Sequence, residues 1–257
     1  YGTVIAQYSG LIAASTLLIF KHQYHSHIHF FKKSKDYGQL MKLNGNLFIR
    51  SLCFMIVYVG FTSLCSKYGD DQLAVGSIMM KLFMLFSYFV DGFAYAGEAL
   101  TGRFYGEKNE NSLRVAVKIL FAWTTGIGIL FSLLYGIGGD WCIQIMTSDI
   151  TIQNSAQPLL FWLFMMPILS CYAFMWDGIF IGLTATRQMF YSLLLGALVF
   201  FGLYEGISAL IIAQNGAELV PGETLNHVLW GAFLSYLVTR GVYLSVAYLS
   251  NLHSKHR

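Results

Sequence analysis

The sequence predicts an all-α integral membrane protein, a helical bundle, and three observations carry that expectation. Only 11% of the 257 residues are charged while 56% are hydrophobic, with a mean hydropathy of +0.58; soluble domains carry about 25% charged residues. Apolar segments recur along the chain, at roughly 1–20, 46–66, 72–102, 115–138, 158–186, 189–213 and 226–250, on the scale of the ~20 residues a crossing helix needs. Gly (25), Phe (21) and Tyr (16) are abundant, which suits close helix contacts and aromatic belts at the membrane surfaces.

The first segment starts at Tyr1 inside an apolar run, with no Met before it, and reads as part of something longer. A basic loop over 21–45 follows and holds His22, His25, His27 and His29. Histidines bind metal only with geometry and outer-shell support, so this tract reads as an interfacial juxtamembrane segment, and no metal is expected. The next connections are a short acidic one (67–71), a mixed charged one (103–114) and a polar one (139–157). A tight turn at Arg187 and an acidic loop over 214–225 lead to the last segment. Pro167 lies ten residues before Asp177 in one segment and is expected to bend or loosen it. The four cysteines make no CxxC pair. Cys53 and Cys171 read as packing residues, whereas Cys65 and Cys142 fall near the same side of the membrane, where a disulfide is open to them.

Charge placement gives the orientation. Lys21, Lys32, Lys33, Lys35, Lys42, Arg50, Arg103, Lys108, Arg114, Lys118, Arg187, Lys255 and Arg257 all fall on one side, most of the 16 Lys and Arg. Cytoplasmic loops collect these residues, so that side is expected to be the cytoplasm and the C-terminus to lie there. The pI of about 8.6 then reports a membrane topology, and no nucleic-acid partner is expected. Seven spans could suggest a receptor, but no Asp-Arg-Tyr or Asn-Pro-x-x-Tyr sequence is present.

The residues that point to function are charges inside the spans. Residues 83–103, FMLFSYFVDGFAYAGEALTGR, are long enough to cross a bilayer yet contain Asp91 and Glu98, seven apart and so on one helical face. Residues 177–187, DGIFIGLTATR, repeat the Asp-Gly start and again close on an Arg with Thr just before it. Both Asp residues would sit ~15–18 Å from a basic boundary, near the middle of a ~30 Å core. Glu205 and Arg240 lie in the last two segments. A carboxylate at that depth costs several kcal/mol unless it meets a cavity or a partner. Two readings stay open: Arg240 neutralises one or two acids as a fixed ion pair, or Asp91 and Asp177 face an interior site and change protonation. Tyr88 and Tyr95, three and four residues from Asp91, would share its side and could stack on planar cations.

The stretches FSYFVDGFAYAGEALTGRFYGEKN and DGIFIGLTATRQM, with GTVIAQYSG at residues 2–10, resemble the second half of a MATE (multidrug and toxic compound extrusion) transporter, in its DNA-damage-inducible F-like subgroup. The resemblance implies a six-helix C-terminal lobe over 46–257, a cytoplasmic inter-lobe linker over 21–45, and residues 1–20 as the sixth helix, the end of an N-terminal lobe. It implies a multi-pass protein of the plasma (inner) membrane that exports cationic or amphipathic compounds in exchange for protons or sodium, with no cofactor and no enzymatic activity. Its partners would be the lipid bilayer, those small molecules and the missing N-terminal lobe. Sodium-coupled relatives add a Glu on the seventh helix, and residues 49–62 here contain no carboxylate. Ion-coupling or substrate candidates are Asp91, Asp177, Glu98, Glu205 and Arg240, with Tyr88 and Tyr95 as wall residues.

Two other functions compete. A lipid-linked sugar flippase of the same superfamily would hold cations in its cavity for a phosphate head group, whereas the spans here carry one mid-span Arg against four acids. An intramembrane aspartyl protease would use two Asp residues sharing a proton. Its Gly-x-Gly-Asp context is absent, since Asp91 follows Phe-Val and Asp177 follows Met-Trp.

Overall fold

A computed structural model describes residues 2–22, 37–215 and 221–254, and among these it holds only helices and their connections. The elements are α1 (Gly2–His22), α2 (Tyr37–Cys65), α3 (Asp70–Gly106), α4 (Glu110–Met146), α5 (Ile150–Ala156), α6 (Leu160–Gly182), α7 (Thr186–Asn215) and α8 (Gly222–Ser254). Single 3-10 turns at Ser66–Tyr68 and Gln157–Leu159 precede α3 and α6. A helix satisfies all its own backbone groups, which is what hydrocarbon requires. Six of the described helical stretches are long and apolar enough to cross a membrane; the described apolar part of α1, Val4–Leu17, is shorter.

The chain divides into two compact units, Tyr1–Met41 and Lys42–Arg257. The first contains α1 and the opening turns of α2. The second is one bundle with α6 at its centre, packed on α3, α4 and α8, while α7 pairs with α8.

The connections are shorter than the sequence suggests. Residues 37–45, read as loop, already form α2, and the histidine tract beyond His22 lies outside the described residues. The supposed polar loop over 139–157 is mostly helix: α4 runs on to Met146 and α5 starts at Ile150. Gly138 and Gly139 look like breakers, yet Gly139 packs against the Leu160 side chain, and small residues are tolerated in membrane helices for that purpose. Polar residues in these connections act as caps. Asn109 accepts from the Ser112 amide at 3.0 Å to start α4, and Asp149 from the Thr151 amide at 2.8 Å to start α5. Helix α6 continues unbroken through Pro167.

The burial pattern is that of a membrane bundle. Ile137, Leu198 and Trp123 are exposed, while aromatic rings fill the interior. Phe61 meets Trp230 edge-on at 4.6 Å between centroids, and Phe83 meets Phe233 the same way at 5.5 Å. At the end of the bundle that holds the α2–α3 connection, polar groups tie helices together. The Tyr68 and Tyr204 hydroxyls are hydrogen-bonded, and Asn226 donates to Gln72 at 2.6 Å. All four cysteines are free thiols, so the disulfide open to Cys65 and Cys142 is not formed.

Candidate functional site

The seam between α3 and α6 brings the two Asp-Gly pairs together. A Cβ on Gly178 would overlap the Ala94 carbonyl, and one on Gly182 would overlap the Thr101 hydroxyl. Gly102 in turn lies against the Gly182 backbone, with a Cβ placed 3.4 Å from its carbonyl oxygen. Matching Ala94 with Gly178 and Gly102 with Gly182 means that the two helices run parallel here. Small residues four apart let backbones approach where lipid supplies no hydrophobic drive, and this spacing is what Gly178 and Gly182 provide. Thr101 donates to the Gly97 carbonyl at 2.7 Å, so its hydroxyl is satisfied within the seam.

Asp177, beside Gly178, is only 6% exposed. Its Oδ2 accepts two charge-assisted hydrogen bonds, from Arg240 Nη2 at 2.5 Å and from Arg50 Nη2 at 2.7 Å. Its Oδ1 is buried without a hydrogen-bond partner among the described residues. Arg240 is enclosed and held through its two terminal nitrogens. Its side chain is 2% exposed, its Nη1 reaches the Tyr236 hydroxyl at 3.4 Å, and its guanidinium lies 5.3 Å from the Tyr236 ring centroid. Gly196 makes room for it, since a Cβ there would stand 3.1 Å from Arg240 Cγ. Of the two readings left open, Arg240 does pair with an acid, and that acid is Asp177. Arg50 reaches the same oxygen from α2 with a side chain 27% exposed.

These groups border a cavity of about 370 Å³ between α2 and the α3–α6 seam, within the ~300–1,000 Å³ usual for small-molecule sites. Asp91, Glu98, Asp177, Arg240, Tyr88 and Tyr95 all line it, as does Arg50. Asp91 and Glu98 are half-buried, whereas Tyr88 and Tyr95 are largely open. Phe83, Phe233 and Phe174 supply an apolar floor. The arrangement can seat a molecule with an apolar body and a positive group.

Glu205 is not part of this cavity. It is exposed on α7, and its charge acts on Tyr68 near the polar ties at the other end of the bundle. Arg50 is the residue that sequence reasoning did not place in the site. It read as a marker of the membrane boundary because the helix was expected to begin at 46, whereas α2 begins at Tyr37. Nine residues of helix therefore precede the turn that carries Arg50. The available signal was slight, since Arg50 stands only two residues inside the apolar stretch that starts at Phe48.

Comparisons with known proteins agree with this architecture. The MatE family model matches residues 47–217. Over 210 residues the chain is 30% identical to the DNA damage-inducible protein F of Escherichia coli (strain K12), covering 82% of this chain and 43% of that protein. Among solved structures it resembles one described as the crystal structure of MATE in the bent conformation, with a TM-score of 0.70 and 16% identity over 93% of this chain and 51% of the other. The chain thus spans about half the length of the relatives it matches.

Proposed function

This chain belongs to the MatE family of transporters, and from that premise we propose that it forms one lobe of a secondary active antiporter. In this reading it exports cationic or amphipathic compounds in exchange for protons or sodium. The observation that carries the proposal is the cavity, where the half-buried carboxylates Asp91 and Glu98 stand beside Tyr88, Tyr95 and an aromatic floor. Carboxylates and aromatic faces at membrane depth suit a cation with an apolar body. Residues 46–257 supply the C-terminal lobe, 21–45 the linker, and 1–20 the helix that ends the partner lobe.

The orientation belongs to the same proposal. Arg103, Lys108, Arg114 and Arg187 lie at the ends of α3, α4 and α7 that the Gly102–Gly182 contact brings to one side. That side faces the cytoplasm of a plasma (inner) membrane, and the C-terminus with it. A phosphate-bearing sugar lipid suits the cavity less well, because three carboxylates there face two guanidiniums.

The test is export of a fluorescent organic cation from vesicles carrying the protein expressed from its complete coding region. An imposed proton or sodium gradient is expected to drive export, and Asp91→Asn to reduce it at least about tenfold at matched protein level. Export indifferent to both gradients would sink the antiporter reading.

A further inference from the structure

Two guanidiniums converge on one carboxylate oxygen, but they are held in different ways. Arg240 is enclosed by Tyr236, Gly196 and Asp177, and its charge is compensated in place. Arg50 extends from a helix whose neighbouring residues Phe48, Ile49, Leu52, Phe54 and Met55 are all exposed. Its side chain is more than a quarter exposed and borders the cavity directly. Arg240 by itself balances Asp177. The positive charge of Arg50 is then left to offset the other carboxylates that line the cavity with it, Asp91 and Glu98.

We propose that Arg50 is a tethered, exchangeable cation that occupies the place a cargo's positive group takes between Asp177 and Asp91. The inference rests on the reading of the cavity as a site for cationic cargo. An arriving organic cation competes with Arg50 for these carboxylates. When Arg50 leaves, Asp177 keeps its pair with Arg240, so no buried charge is stranded. Arg50 retreats toward the start of the apolar stretch at Phe48, two residues before it, where a long side chain can carry its charge toward water. Displacement also removes the hydrogen bond joining this part of α2 to α6, so cargo entry and release of the α2 wall are one event. With Arg50 in place, the three carboxylates and two guanidiniums of the cavity leave one net negative charge, and without Arg50 they leave two. Arg50 is therefore a specificity-determining residue, favouring cargoes whose positive group and apolar body together outcompete a guanidinium.

The probe is tetraphenylphosphonium, a permanently charged cation with no hydrogen-bond donors. Its equilibrium binding is measured on the purified protein, expressed from its complete coding region, in lipid nanodiscs without any ion gradient. Arg50→Gln and Arg50→Met, two neutral side chains of different shape, are each expected to tighten binding by about tenfold, because the internal competitor is gone. Arg50→Lys keeps a tethered cation and is expected to bind about as the unaltered protein does, within about threefold. In the Asp91→Asn background, Arg50→Gln is expected to lose most of that gain, since the charge balance is restored. A merely structural arginine predicts weaker binding in both neutral variants and no dependence on Asp91.

Binding by the unaltered protein that both neutral variants leave unchanged or weaken overturns the inference alone. Absence of binding in the unaltered protein and in every Arg50 variant overturns the cationic-cargo reading, and the inference with it.

Discussion

The α3–α6 wall of the cavity and the α2 wall face each other but are held by opposite means. On the first, Gly178 and Gly182 lie on the Ala94 and Thr101 backbone turns so closely that no side chain fits between. On the second, exposed residues surround Arg50, and its hydrogen bond to Asp177 crosses the gap. Farther along α2, Val57, Phe61, Leu64 and Cys65 join the aromatic core and anchor that half of the helix. Packing on this scale has many contacts to lose before anything moves. A single partly solvated ion pair has one. The difference teaches where packing commits the bundle: the α3–α6 seam fixes the carboxylates, and in the proposed exchange of Arg50 the α2 wall is the side that yields.

The change expected to break this contrast most completely is Gly178→Val. It places a branched side chain against the Ala94 carbonyl, and the expected outcome is loss of folded, membrane-extracted protein on size-exclusion chromatography. Protein recovered at normal yield and melting temperature would show that the seam is not fixed.

Asp177→Asn comes next. It leaves Arg240 buried without a counter-charge, which should cost about 3–5 kcal/mol, read as a lowered melting temperature, and should abolish export. Adding Arg240→Met should restore most of the stability without restoring export, separating the structural use of Asp177 from its use in transport. Tyr68→Phe removes one hydroxyl from the tie to Tyr204 at the anchored end of α2. It should lower stability by about 1 kcal/mol and leave cation binding unaltered. The smallest effect is expected from Glu98→Gln, which should retain at least partial export. Glu98 lies at the cavity wall, five residues before Arg103, ~7.5 Å of helix from a boundary where water can reach it.

The sequence made much of this legible for one reason. Charges within apolar helices are rare, so Asp91, Glu98, Asp177 and Arg240 stood out, and the cavity gathers all of them. The Asp-Gly repeat pointed to matching depth on two helices, and the seam supplies the reason, since the glycines allow the approach. Rotation of a helix about its own axis was not legible. Glu205 lies in a span like the others, toward the end that holds the Tyr68–Tyr204 tie, and spacing within α7 does not show that it is the exposed neighbour of buried Tyr204. The identity of the partner on Arg240 depended on the packing of α6 against α8, which no local pattern encodes. Arg50 was missed because polar residues before it imitated a loop, although residues 37–45 are helical.

The seam also has a genetic consequence. Every missense change in a glycine codon adds at least one carbon, so no missense neighbour of the Gly178 or Gly182 codon preserves the contact. Selection screens for altered cargo would recover substitutions on the α2 side of the cavity and few on the other. Loss-of-function alleles mapping next to Asp177 would then be enriched in changes that prevent assembly of the bundle, with the carboxylate itself intact. An allele at Gly178 and one at Asp177 could share a phenotype, and a second change at Arg240 that restores protein to the membrane would mark the Asp177 lesion.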